Sequence, residues 1–310
     1  MSSHTKYWIA LAQSRGIGPA NLKIIYTSLK KHNLSPSDLF SLSTEEIKNE
    51  FQFNDKIIDA IISSKGTLSR IEDIYFELLD IGIETILFFE DSYPARLIDK
   101  LGSAFPPILY TYGDKSLINK RGAAILGEKN LSQKGEDITY LAAKDLSTHK
   151  IIIISGLARG IDEIAHRSAL ENSGRTIAML PYGIKHLKIP HMIEHVYNQD
   201  NLLLVSPFYP DVEYNKFNAF IRNRLICALA HAVYIVECPS ESGIFEAGKS
   251  AHKLDVPLFV TEYAEYPDSA SANKQLIEEF NAFPVKGKMV NHVLTPNMDK
   301  LIGIVKFDEK

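Results

Sequence analysis

The chain has 310 residues, room for about two domains of ordinary size. Apolar residues make up 45% and charged residues 23%, which excludes a disordered or fibrous chain and fits a globular one. Lys and Arg number 34 against 38 Asp and Glu, a net charge of −4, so the chain is no uniformly basic nucleic-acid binder and any anion site has to be a local patch.

Residues 1–82 predict a small helical domain. Tyr7, Trp8, Ala10 and Leu11 open an amphipathic pattern, Gly16-Ile17-Gly18-Pro19 breaks it, and Leu22, Ile25 and Leu29 resume it. The break is similar to the hairpin of a helix-hairpin-helix unit, which offers backbone N–H groups to a DNA phosphate; a plain helix–helix turn reads equally from these residues. Ser37 and Ser43 are placed to cap the next short helices, the second with Glu46 three residues on as a capping box. Ile57, Ile61 and Ile62, then Ile71, Ile74 and Leu78, continue at helical spacing. Residues 83–120 form a connector, with a strand at 84–89 and the Tyr93-Pro94 and Pro106-Pro107 breaks.

From residue 121 to 310 strands and helices alternate. Strands are predicted at 123–126, 151–155, 176–180, 202–205, 233–237 and 257–261, and helices at 135–148, 161–172, 217–229 and 245–254. Most of the strands are solid apolar runs, as strands covered on both faces require. The fold class is therefore α/β, a Rossmann-like, doubly wound, mostly parallel sheet behind a small helical domain of sterile-alpha-motif or helix-hairpin-helix type. Residues 272–283 read as a further helix, with the tail to Lys310 closing the sheet or meeting a second subunit.

In such a sheet the ligand lies beyond the carboxyl ends of the strands, so the loops there carry the chemistry. Ser155-Gly156-Leu157-Ala158-Arg159-Gly160 runs from a strand into a helix start. Gly156 and Gly160 permit close backbone approach to an anion, the helix N-terminus supplies free N–H groups, and Arg159 adds a charged fork. Gly127-Glu128-Lys129 follows the first core strand and offers one lysine. Arg222, Asn223 and Arg224 lie on one helix, where the two arginines diverge by about 200°, so that they serve different jobs. Ser242 and Gly243 follow the strand at 233–237.

Three other patterns are weaker. Gly243 to Ser250 matches the P-loop spelling, but Ile244, Phe245, Glu246 and Ala247 suit a helix already under way better than a phosphate cradle. His191 and His195 are four apart with no third metal ligand evident. Cys227 and Cys238 lie in apolar runs and read as buried thiols, too few for a disulfide framework. No catalytic constellation, metal site or cofactor emerges. No run approaches the ~18 apolar residues of a membrane span and no signal-peptide core follows Met1, so the expected location is the cytoplasm.

Together these loops resemble the DNA-processing protein A (DprA/Smf) family. The resemblance rests on Ser155 to Asp162 with Ala165-His166, on Gly174 to Leu180, on Arg222-Asn223-Arg224-Leu225-Ile226 with the strand that follows, and on Ser242-Gly243. Tyr93-Pro94 and Pro106 to Tyr110 extend it upstream, so that it covers residues 85–285 in order. It implies a homodimer that holds single-stranded DNA at the strand ends and partners a RecA-type recombinase in DNA uptake or recombination, with no established reaction. It places Gly127, Lys129, Ser155, Gly156, Arg159, Gly160, Arg222, Asn223, Arg224, Ser242 and Gly243 at the DNA. Tyr182, Phe208 and Tyr209 follow strands and are candidates for base stacking. The chain departs from the family at Gly127-Glu128-Lys129, where Gly-Ser-Arg is usual, and no winged-helix pattern follows residue 285. The second reading is a sensor or hydrolase for a nucleotide-like small molecule, with Ser242-Gly243 and Glu246 as its loop and acid.

Overall fold

The computed structural model describes residues 4–307. They form two units, one from the chain up to Tyr93 together with Gly102–Tyr110, the other from Pro94–Leu101 together with Thr111 onward. Residues 83–120 are thus divided between the two.

The first unit holds α1 (Thr5–Gln13), α2 (Pro19–His32), α3 (Pro36–Ser41), α4 (Thr44–Glu50), the long α5 (Asp55–Asp80) and β1 (Glu84–Leu87). Helices α3, α4 and α5 start where the side chains of Ser35, Ser43 and Asn54 satisfy free N–H groups of the first turn. Ser43 and Glu46 form the expected reciprocal box before α4. Before α3 the cap is Ser35 rather than Ser37: its Oγ accepts from Asp38 N at 3.2 Å while the Asp38 carboxylate accepts from Ser35 N at 2.8 Å. Pro36 then takes the first helical position, where a missing N–H costs nothing. The helical stripes meet in a core of Trp8, Leu11, Leu22, Ile25, Leu39, Ile57 and Ile61. Gly16 turns the chain at φ +92° between α1 and α2, and Ile17 is buried beneath that turn.

Helix α6 (Ala95–Leu101) belongs to the second unit, and β2 (Ile108–Gly113) runs from the first unit into it. The alternation that follows is β3 (Gly122–Leu126), α7 (Gln133–Thr148), β4 (Ile152–Ser155), α8 (Ile161–Glu171), β5 (Thr176–Met179), α9 (His191–Glu194), β6 (Leu202–Ser206), α10 (Lys216–Leu229), β7 (Ala232–Ile235), α11 (Gly243–Lys253) and β8 (Leu258–Thr261). The order within this unit is β6-β5-β4-β3-β7-β8-β9, where β9 is Phe283–Val285, and the neighbours pair in parallel. The solid apolar runs are buried on both faces, each large side chain contributing about 1.5–3 kcal/mol of transfer free energy. The chain order reverses on either side of β3, between β4 and β7. That reversal opens a crevice between the loops after β3, β4 and β7.

The carboxyl-terminal part is more regular than the sequence pattern suggests. Helix α12 (Asn273–Glu279) ends early, and β9 then extends the sheet. A hairpin of β10 (Gly287–Val290) and β11 (Val293–Pro296) leads to α13 (Asp299–Phe307), whose Leu301 and Val305 join the core around Ile125 and Tyr234. Among the described residues no helix is long and apolar enough to cross a membrane.

A candidate anion-binding cleft at the strand ends

A cleft of about 450 Å³ opens at this reversal. Gly127 to Lys129 line it from the loop after β3, Leu157 to Arg159 from the loop after β4, and Pro181 and Tyr182 from the loop after β5. Tyr214, Lys216, Phe220, Arg222 and Asn223 line it from α10 and its approach, and Ser242 to Ile244 from the start of α11.

Its floor is an internally bonded polar cluster. Arg222 is 7% exposed. Its Nη1 donates to Met179 O at 2.9 Å and its Nε to Asn223 Oδ1 at 2.9 Å. Asn223 Nδ2 in turn donates to Gly243 O at 3.3 Å, tying α10 to the first turn of α11. Asp162, in the first turn of α8, accepts from Ala158 N at 3.3 Å and has Ser155 Oγ 3.0 Å from its Oδ1. Burial pushes its carboxyl above the usual carboxylate range and the nearby Arg222 opposes that rise. Burial likewise draws Arg222 down, opposed by Asp162. His166, one turn further along α8, is fully enclosed between Gly156 O at 2.5 Å and Thr176 Oγ1 at 2.6 Å, and burial lowers it to about 4.

These contacts give the glycines of the loop after β4 an internal reason. A Cβ on Gly156 would lie 2.0 Å from Arg222 Nη1 and 2.3 Å from Asp162 Oδ2. Gly160 has φ +85°, and a Cβ there would meet Lys129 O at 2.5 Å and Glu128 O at 2.7 Å. Close approach is therefore required, but by the protein's own Arg222 and by the backbone after β3. The first turn of α8 already carries two carboxylates, Asp162 and Glu163. The start of α11 is different. Ser242 Oγ accepts from Phe245 N at 3.1 Å, and the residues that follow it, Gly243 and Ile244, face the cleft.

Of the residues marked in the sequence, Gly127, Lys129, Arg159, Arg222, Asn223, Ser242 and Gly243 are brought together around the cleft. Lys129 and Arg159 are exposed at its mouth, with Lys216 beside them. Ser155, Gly156 and Gly160 stand behind the wall; Ser155 Oγ donates to Ile125 O at 2.6 Å and so braces β4 on β3. Arg224 is exposed on α10 and does not line the cleft. Tyr182 lines it, whereas Phe208 and Tyr209 do not. Asp162, Tyr214, Lys216 and Phe220 are additions. The last three carried a legible signal, aromatic residues at every third position from 214 to 220 around a lysine.

The P-loop spelling lies on α11: Lys249 Nζ pairs with Glu246 Oε1 at 2.7 Å, and a Cβ on Gly248 would meet Leu276 Cδ2 at 2.7 Å. Glu246 does not line the cleft. The rings of His191 and His195 lie 5.4 Å apart, and no group of three or more His, Cys, Asp or Glu among the described residues is placed to hold a metal ion. Both thiols are buried, which pushes Cys227 and Cys238 up to about 12.

The comparisons with known proteins agree with this architecture. The model of the family described as DNA recombination-mediator protein A matches residues 84–294. Protein Smf of Synechocystis sp. is 29% identical over 265 residues, which cover 83% of this chain and 64% of that protein. DNA processing protein DprA of Bacillus subtilis is 29% identical over 206 residues, covering 64% of this chain and 67% of the relative. The chain thus spans about two thirds of the length of these two relatives. The structure of DNA processing protein A from Streptococcus pneumoniae superposes with a TM-score of 0.71 at 22% identity, over 90% of this chain and 94% of that one. The structure of DNA processing protein A from Helicobacter pylori, described for its single-stranded DNA binding mode, superposes with a TM-score of 0.57 at 27% identity, over 65% of this chain and 90% of that one. With a family model matched over more than half its length, the chain belongs to the DNA recombination-mediator protein A family.

Proposed function

We propose that the cleft holds the backbone of single-stranded DNA and that the protein acts as a recombination mediator, as a homodimer in the cytoplasm, delivering the strand to a RecA-type recombinase during DNA uptake or recombination. The observation that carries this reading is the pairing of a buried, preorganised Arg222 in the floor with exposed Lys129, Arg159 and Lys216 at the mouth. A guanidinium already held by Met179 O and Asn223 spends little further entropy on a phosphate, and the outer cations supply the salt-dependent attraction. No side chain of the cleft is assigned a reaction. The family supports a DNA-processing role, and the H. pylori relative supports a single strand as the ligand.

Fluorescence anisotropy with labelled oligo-dT across a salt series tests this. Each phosphate neutralised on a single strand contributes about −0.7 to the slope of log K against log salt, so three to four contacts give a slope of about −2 to −3. Arg159→Ala and Arg222→Ala should both weaken binding. No binding at low salt would overturn the reading and favour a nucleotide-like small molecule, for which a cleft of about 450 Å³ is also of suitable size.

A further inference from the structure

The outer face of α10 carries side chains that the packing of the helix does not use. Phe217 is 71% exposed and Phe220 46% exposed, and Tyr214, two residues ahead of the helix, is 55% exposed. Arg224, one turn beyond Phe220, is exposed as well. Residues 217, 220 and 224 follow the i, i+3, i+7 spacing of a single helical face. The helix packs by its other side, through Asn218, Leu225, Ile226 and Leu229. Three exposed aromatic rings within seven residues are a patch of the kind that marks an interaction surface.

Two observations say what this face receives. It is continuous with the cleft: Phe220, Tyr214 and Lys216 line it, and the Phe220 ring lies 3.6 Å from where a Cβ on Gly243 would stand. It carries cations that suit a polyanion, since Lys216 lies between Tyr214 and Phe217 and Arg224 follows Phe220. Aromatic faces alternating with cations suit a strand with open bases, because every base offers a π-face to a ring and every phosphate a partner to a cation. From residue 217 to 224 the helix spans about 10 Å.

Resting on the phosphate-cleft reading above, we infer that Phe217, Phe220 and Arg224 form a base-stacking path for the nucleotides that leave the cleft, and that this path makes the site select unpaired strands. Phe220 takes the first base outside the cleft, Phe217 stacks on a neighbouring base, and Arg224 meets a phosphate between or beyond them. Bases in a duplex have both faces covered by their neighbours and gain nothing from such a path.

The test compares labelled oligo-dT with an abasic oligomer of the same length and backbone, at one salt concentration, for the wild type, Phe217→Ala and Arg224→Ala. Both positions are exposed, and equal thermal melting confirms folding. The wild type should prefer oligo-dT by about tenfold or more, the range expected for one or two stacked bases. Phe217→Ala should lose about tenfold on oligo-dT and nothing on the abasic strand, with the salt slope unchanged. Phe217→Trp should keep the preference. Arg224→Ala should weaken both strands and lower the slope by about 0.7. Equal wild-type affinity for the two strands overturns the path while leaving the phosphate cleft intact. So does a Phe217→Ala variant that binds both strands like wild type, which would assign the face to a protein partner. Binding to neither strand overturns the cleft reading and the path together.

Discussion

Arg222 and Asp162 meet across Gly156: a methyl group on that glycine would stand 2.0 Å from Arg222 Nη1 and 2.3 Å from Asp162 Oδ2. An arginine on α10 and an aspartate on α8 are thus held on either side of a backbone that has no side chain to part them. The guanidinium is fixed by Met179 O and by Asn223 before any ligand arrives.

Gly156→Ala is therefore expected to cost about 1–3 kcal/mol, because the methyl has to displace buried, hydrogen-bonded groups. Oligo-dT affinity should fall with it, since the floor moves. Thermal melting and anisotropy on the same preparation check both. A variant that melts like wild type would show that Arg222 is free to retreat.

Arg222→Lys separates charge from geometry. An ammonium keeps the positive charge but lacks the planar fork that serves Met179 O and Asn223 Oδ1 at once. The variant should lose about 1–3 kcal/mol of stability through unmet hydrogen bonds. It should bind oligo-dT with nearly the wild-type salt slope but lower affinity. Arg159→Ala should also weaken binding, but through the salt-dependent part and without a loss of stability. Arg159 is exposed, so melting should stay put while the slope falls by about 0.7.

His166 predicts a loss of stability on the acid side of neutrality. Burial lowers it from its ordinary 6.5 to about 4, so the folded state favours the neutral ring. Its contribution is whole above pH 6.5 and is lost as the pH falls towards 4, by roughly 3 kcal/mol over that window. Asp162 is shifted upward and acts in the opposite sense, so the His166→Gln variant isolates the histidine. Urea denaturation at several pH values between 4 and 7 should be steeper in pH for wild type than for His166→Gln; parallel curves would reject the assignment.

Glu237 shows a second internal carboxylate at a helix start. It is fully buried and accepts from Ser132 N at 2.9 Å, Ser132 Oγ at 2.5 Å and Tyr263 Oη at 3.0 Å, at the head of α7. A Cβ on Gly135 would come within 2.5 Å of this carboxyl group. Gly135→Ala and Glu237→Gln should each destabilise by about 1–3 kcal/mol. Neither residue lines the cleft, so DNA affinity measured well below the melting temperature should be unchanged.

Much of this was legible in the residues themselves. Ile152 to Ile154, Leu202 to Val205 and Ala232 to Ile235 are apolar without interruption, and a strand buried on both faces needs that pattern. Local chemistry also marks where a helix begins, as Ser43 with Glu46 does. The strand at 233–237 is a partial exception. The regular strand ends at Ile235, yet Val236 N still donates to Leu126 O at 3.0 Å and Glu128 N to Glu237 O at 3.1 Å, so the pairing outruns it.

The parallel α/β core, and the loops in which an anion site had to be sought, can be read from the residues alone, because both follow from short-range periodicity and from glycines beside strand ends. The same short-range geometry marks Arg222 and Arg224 as pointing apart. Which of the two turns inward is settled over long range, since it depends on Met179 and on the gap above Gly156, contributed by other strands and loops. Packing also settles that Gly156 and Gly160 make room for the protein's own groups, and that Phe217, Phe220 and Arg224 share an open face. Burial is a property of what packs against a residue, and those neighbours lie far away in the chain.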